Sequence, residues 1–338
     1  MSLNNDVHSF KNATFSDEDF VQNGKITPLG IEYLLQFKRF DLFDKASTAI
    51  LFSIGLPIVV PMAILRLVSL FVVFGTGIVL KKHLSINLDN YPKIISLIYF
   101  VCLGVYVRSK DHEQTRTPLG TESGICERST VIVSNHNSRF DAMLLANLHQ
   151  SDTTYLAAAK SSFFGKLIID SGLCSRSMED GIALDTIEGR EEWRRRLNSA
   201  YCRPLLFFPE GRVVQKPNTI ITFQNHLLQG QKVNIICKKC SYTSYFLNHT
   251  QIEIPFFKAP YSNFNNKAVW DSIIEGIPFL VSFVTVFQTE VIGTVQLNGS
   301  ETLEEINELL YSLYIDNGYS LVTMDPLLVK KLMQSLYL

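Results

Sequence analysis

Residues 131–141 read VIVSNHNSRFD. Three β-branched residues lead into a polar turn, and the turn leads into a helical pattern. Strand, corner and helix in that order are the repeating unit of an α/β sheet. The pattern continues on both sides of the turn. Strands are expected at Val131–Ser134, Tyr155–Ala158, Leu205–Phe208, Val233–Cys237, Gln251–Ile254 and Val291–Leu297. Helices are expected at Arg139–Leu148, Arg190–Tyr201, Glu301–Tyr314 and Pro326–Leu336. In the third of these, Leu303, Ile306, Leu310 and Leu313 recur at three- and four-residue steps, so one face is buried. The expected fold class is α/β, a mixed sheet flanked by helices over residues 130–300, with C-terminal helices over 301–338.

Upstream the composition changes. Residues 1–45 are polar and mixed, without the charged, apolar and cleavable regions of a signal peptide. Residues 46–80 are almost wholly apolar, with Arg66 the single charge. A bilayer span needs about 20 apolar residues, so this stretch is long enough to cross once. Pro57 and Pro61, close to Gly55, are expected to break or kink it. Lys38, Arg39 and Lys45 precede it and Lys81 and Lys82 follow it, and basic flanks stay on the cytosolic side. A membrane-inserted helical hairpin that enters and returns satisfies both features; a single tilted span and a buried core helix are the alternatives. Residues 81–129 read as a linker with a membrane-proximal helix, because the apolar run Ile94–Val107 is too short to span. A further apolar run, Ile273–Phe287, reads as a lipid-touching or partly buried element.

The chain has 338 residues, of which 46% are apolar, and a formal net charge of −1, which points away from a nucleic-acid partner. Its six cysteines lack regular spacing, which argues for a reducing compartment rather than a disulfide framework. Cys237 and Cys240 form one C-x-x-C near His226 and His249, but no second pair stands at ligand spacing, so no metal site is expected.

The chemistry-bearing residues lie on the corner quoted above. Ser138 followed three residues later by Asp141 resembles a capping box, which would leave His136 as a loop residue. The same geometry serves another end. On one continuous helix His136 and Asp141 would point about 140° apart, but across a loop-to-helix corner they can meet. A carboxylate on one imidazole nitrogen fixes the tautomer and leaves the other nitrogen as a base. The nucleophile would then be a substrate hydroxyl. A second corner, LLFFPEGR at Leu205–Arg212, also follows an apolar strand. Its Glu210 supplies an acceptor, Gly211 an irregular turn and Arg212 a fork for phosphate. Strand ends of an open α/β sheet share one crevice, which would bring the two corners together. A serine hydrolase and a P-loop are disfavoured, since neither G-x-S-x-G nor a Walker sequence occurs.

NHNSRFD at 135–141 resembles the H-x-x-x-x-D block of the glycerolipid (lysophosphatidic acid-type) acyltransferases, and FPEGR at 208–212 resembles their F-P-E-G-T-R block. The paired likeness covers roughly residues 130–297. With the apolar N-terminal segment, the chain is most similar to the ancient ubiquitous protein branch of that superfamily. The resemblance implies His136 as general base and Asp141 as its orienting partner. It implies Asn135, Ser138, Glu210, Gly211 and Arg212 as substrate-binding residues, and acyl-CoA as co-substrate with no resident cofactor or metal. Acceptor and surroundings would be a lysophospholipid and membrane lipids. The implied location is the cytosolic face of the endoplasmic reticulum and lipid droplets, with a possible role in endoplasmic-reticulum-associated degradation. Ubiquitin-pathway partners follow from the resemblance alone, since no counterpart of that branch's ubiquitin-binding CUE domain occurs before Leu338.

Three departures from the family pattern stand out. The threonine between Gly211 and Arg212 is missing. The second block is at best SGLCSR at 171–176. Val233 is followed by Asn234 where the fourth block has proline. These changes leave the base intact and alter the acceptor side. They also keep open a non-catalytic membrane scaffold that retains the fold.

Overall fold

The structure is a computed structural model, and it describes residues 21–22, 25–26, 42–86, 91–110, 129–138, 141–149, 151–155, 167, 170–172, 182–184, 186–198, 203–211, 218–246, 250–251 and 284–322. Strands β1 (Val21–Gln22) and β2 (Lys25–Ile26) pair as a small antiparallel ribbon. Helix α1 (Leu42–Leu84) and helix α2 (Pro92–Leu103) follow. Next come β3 (Val105–Ser109), β4 (Ser129–Ser134), helix α3 (Asp141–His149), β5 (Asp152–Tyr155) and β6 (Ile182–Ala183). Helix α4 (Ile187–Asn198), β7 (Leu205–Phe207), β8 (Thr219–Ile221) and a 3-10 turn at Asn225–Leu227 lead into β9 (Lys232–Phe246). The last elements are β10 (Thr250–Gln251), β11 (Val284–Asn298), helix α5 (Leu303–Asp316) and β12 (Ser320–Val322).

The main sheet has the order β3-β11-β9-β4-β7-β5-β6, with β10 paired to β9. Strands β9, β4, β7, β5 and β6 run parallel to one another, and β11 runs antiparallel to β9. The expected mixed α/β sheet is therefore present. Side chains alternate across it, as the two-residue period of a strand requires. Val131, Val133, Leu205 and Phe207 enter one apolar layer with Trp193, Leu197, Ile306 and Leu310 of α4 and α5. Ile132, Leu206 and Phe208 enter the other with Ile95 and Tyr99 of α2 and Leu144 and Leu145 of α3. Cys237 belongs to the first layer and Cys240 to the second. Three residues apart on one strand, the two thiols face opposite sides of the sheet and cannot share an ion.

The expected hairpin within residues 46–80 is corrected by the structure. Helix α1 is continuous over 43 residues, with Pro57 and Pro61 inside it. Each proline removes one backbone hydrogen bond, which can bend a helix but does not reverse it. The reversal comes after α1, where Ser85 takes a left-handed backbone conformation. Helix α2 then returns along α1. Gly104, at the end of α2, lies against the Arg66 guanidinium, and Leu70 and Val73 of α1 pack with Ile95 and Tyr99 of α2. Residues 57–84 are long and apolar enough to cross a membrane, and little of that stretch is buried. Leu65, Phe71 and Val72 on α1 and Leu97 and Val101 on α2 are exposed. Arg66 itself is buried.

Several element boundaries also differ from expectation. The run Ile94–Val107 divides into α2 and β3 at Gly104, whose left-handed backbone caps the helix. Strand β9 is three times longer than Val233–Cys237. Strand β11 begins at Val284, so the end of the apolar run Ile273–Phe287 is strand; its earlier part lies outside the described residues. The expected helix Pro326–Leu336 lies outside them too. Strand β5 covers Asp152–Tyr155, earlier than the expected Tyr155–Ala158, of which 156–158 are outside the described residues.

Candidate active site

Strands β4 and β7 are adjacent and parallel, so the turns that leave them open at the same sheet edge. Strand β9, on the other side of β4, runs past Ser134 and continues for eight residues beyond its partner Lys238. Its second half forms a floor beneath the turn after β4. Asn135 pairs with that floor as a strand residue would. Its side-chain amide donates to the Cys240 carbonyl at 3.0 Å and accepts from the Cys240 N–H at 2.7 Å. The Asn137 side chain donates to the same carbonyl at 2.6 Å. The loop that carries His136 is thus held from below.

His136 and Asp141 meet. The histidine Nδ1 lies 3.1 Å from Asp141 Oδ2. The same oxygen accepts the Asn137 N–H at 2.6 Å and the Ser138 N–H at 2.8 Å. Asp141 is fully buried, at the first position of α3. The contact to Ser138 is half of the capping box read from sequence, and the contact to His136 is the dyad. One carboxylate performs both roles. Phe208, from the second corner, stacks on the imidazole with centroids 4.2 Å apart and planes 27° apart. The histidine side chain remains 17% exposed. With Nδ1 turned to Asp141, Nε2 has no hydrogen-bond partner among the described residues.

Glu210 is held differently from the substrate-facing acceptor expected of it. It is buried, and Oε2 accepts the His136 backbone N–H at 2.7 Å while Oε1 accepts the Ile221 N–H at 3.3 Å. It ties the second corner to the first and to β8. Asn135 is likewise buried and committed to Cys240. Gly211 has φ +64° and is exposed, closing the turn through an N–H to the Phe208 carbonyl at 3.1 Å. Ser138 is half-buried beside Asp141. Arg212 lies outside the described residues. The structure thus brings His136, Asp141, Asn135, Ser138, Glu210 and Gly211 into one corner.

Sequence reasoning missed Tyr242. Its hydroxyl donates to Asp141 Oδ1 at 2.5 Å, and its ring packs on Phe287 at 4.9 Å. Burial, then the Asp141 charge, pushes the phenol well above its usual range, so it keeps its proton. No local signal marks it, because 101 residues separate the pair. The Cys240 thiol, beside Ser134 Oγ at 3.1 Å, is pushed up to about 12 by burial and then by the Asp141 charge. Cys237 is pushed up to about 12 by burial. Neither thiol is a nucleophile near neutral pH. Among the described residues, no three His, Cys, Asp or Glu side chains converge as metal ligands. What the corner offers is an oriented, half-exposed imidazole over an apolar ring, at a sheet edge.

Residues 106–236 match the family model named Acyltransferase. That segment is similar to the acyltransferase family. It contains both corners and ends within β9, before Cys240 and Tyr242. Among solved structures, the chain is similar to the 1-acyl-sn-glycerophosphate (LPA) acyltransferase PlsC from Thermotoga maritima. Identity is 14%, coverage is 77% of this chain and 95% of that one, and the TM-score is 0.44. No curated protein matches the chain.

Proposed function

We propose that this protein transfers an acyl chain from acyl-CoA to the free hydroxyl of a lysophospholipid at a cytosol-facing membrane surface. The observation that carries the reading is the imidazole of His136, held through Nδ1 by Asp141 with Nε2 left to act. Nε2 takes the proton of the acceptor hydroxyl as its oxygen attacks the thioester carbonyl. The tetrahedral intermediate collapses, the C–S bond breaks, and the imidazolium returns the proton to the leaving coenzyme A thiolate. Asp141 stabilises the imidazolium between those steps. Glu210 fixes the His136 backbone, and Phe208 fixes the ring plane. Arg212 is the residue to which the family resemblance gives the acceptor phosphate.

The apolar surface of α1 and α2 supports a membrane setting, where a lysophospholipid resides. The family branch named above supports the endoplasmic reticulum and lipid droplets as the location. The decisive experiment is acyl transfer from labelled acyl-CoA to a panel of lysophospholipids, in microsomes carrying either the wild type or His136→Ala. Removing the base is expected to lower the rate by at least about 100-fold. Equal rates with a folded, inserted His136→Ala protein would overturn the reading and favour the non-catalytic scaffold.

A further inference from the structure

Asp141 uses one oxygen for the histidine loop and the other for a residue on a different strand. Oδ2 serves His136, Asn137 and Ser138, and Oδ1 receives the Tyr242 hydroxyl. Tyr242 stands in the part of β9 that outruns β4, outside the family-matched segment 106–236. We propose that Tyr242 is a positioning residue for the His136 base, fixing the Asp141 carboxylate through Oδ1 so that Oδ2 faces Nδ1. The inference rests on the acyl-transfer reading of this site.

Two features support it. Donors from two different elements, the histidine loop on Oδ2 and β9 on Oδ1, hold the carboxylate plane more firmly than the Oδ2 contacts alone. Tyr242 is itself anchored, by its ring against Phe287 and by the strand pairing of β9 with β11. Removing the hydroxyl takes away the restraint on Oδ1 and leaves the Oδ2 contacts in place, so the loss falls on the aim of Asp141 at Nδ1. Tyr242→Phe keeps the ring that packs on Phe287.

The test uses the full chain in phospholipid nanodiscs, comparing wild type, Tyr242→Phe and His136→Ala. Tyr314→Phe is the control, since that hydroxyl donates to the Lys238 carbonyl. Acyl transfer is measured for each variant in the wild-type and in the Asp141→Asn background. Tyr242→Phe is expected to lower kcat about tenfold with KM unchanged, as for a lost orienting contact. That effect is expected to vanish in the Asp141→Asn background, while any effect of Tyr314→Phe is the same in both. A Tyr242→Phe kcat equal to wild type, or an undiminished effect in the Asp141→Asn background, overturns the inference even where His136→Ala is inactive. A fully active His136→Ala protein removes the acyl-transfer reading and the inference with it.

Discussion

At the scale of single residues, the site turns on how many donors one carboxylate satisfies. Asp141 is buried with four donors around it, from His136, Asn137, Ser138 and Tyr242. Buried carboxylates need such partners, because an unpaired charge in an apolar layer is costly. Asp141→Asn tests what the charge adds. The amide oxygen can still accept on the Oδ2 side, and the Tyr242 hydroxyl can rotate to accept from the amide nitrogen. The fold is therefore expected to survive with a loss of about 1–2 kcal/mol, read from chemical unfolding. The rate is expected to fall at least about 100-fold, because an amide no longer stabilises the imidazolium. A fall in stability without a fall in rate would make Asp141 a helix cap alone. His136 and Asp141 were legible in the sequence because their relation is local, five residues across one corner. Glu210 was legible as a residue of the second corner, but its hydrogen bonds were not. The string P-E-G-R shows a carboxylate, but not that both its oxygens face backbone N–H groups. Tyr242 was illegible, since its partner lies far away in the chain and β9 looked five residues long.

At the scale of elements, the strands and helices with a clear period emerged from the sequence at nearly their true positions. Strand β4, strand β7 and helix α5 are examples, the last closed by a full capping box between Thr302 and Glu305. One failure came from reading an apolar run as one element. Ile94–Val107 contains the α2-to-β3 junction, and its only mark is Gly104. That glycine has φ +65°, and a Cβ there would clash with the buried Arg66 guanidinium. A left-handed residue other than glycine costs about 1–2 kcal/mol before any clash. Gly104→Ala is therefore expected to lower the thermal midpoint of the protein in detergent by several degrees, about 4–8 °C per kcal/mol for a small domain and less for a chain of this length. An unchanged midpoint would show that α2 and β3 adjust freely at their junction. The second half of β9 failed for a different reason. Its sequence, KKCSYTSYF, is polar at many positions, and polar strands are recognised poorly when their partners are distant. That half forms the floor of the site.

At the scale of the whole molecule, an apolar two-helix unit and a catalytic-type domain are joined through shared packing. Ile95, Tyr99 and Leu103 of α2 lie in the same layer as Leu144 and Leu145 of α3, the helix that Asp141 opens. A membrane-inserted α1 and α2 would hold the sheet edge at a fixed relation to the lipid. The return of α2 along α1 would let the pair insert from one side. Asn12, Asn248 and Asn298 each begin an N-x-Ser/Thr sequence, and these sequons report on that topology. With the start of α1 and the domain after α2 both on the cytosolic side, none of the three is expected to carry glycan when the protein is expressed in mammalian cells and treated with a glycosidase. Glycan on Asn248 and Asn298 with a bare Asn12 would mean that α1 crosses once and places the domain in the lumen. Acyl-CoA is cytosolic, so that pattern would also remove the co-substrate from the site and sink the acyl-transfer reading with the topology. Absence of glycan would leave the His136 corner on the side where the acyl-transfer reading requires it.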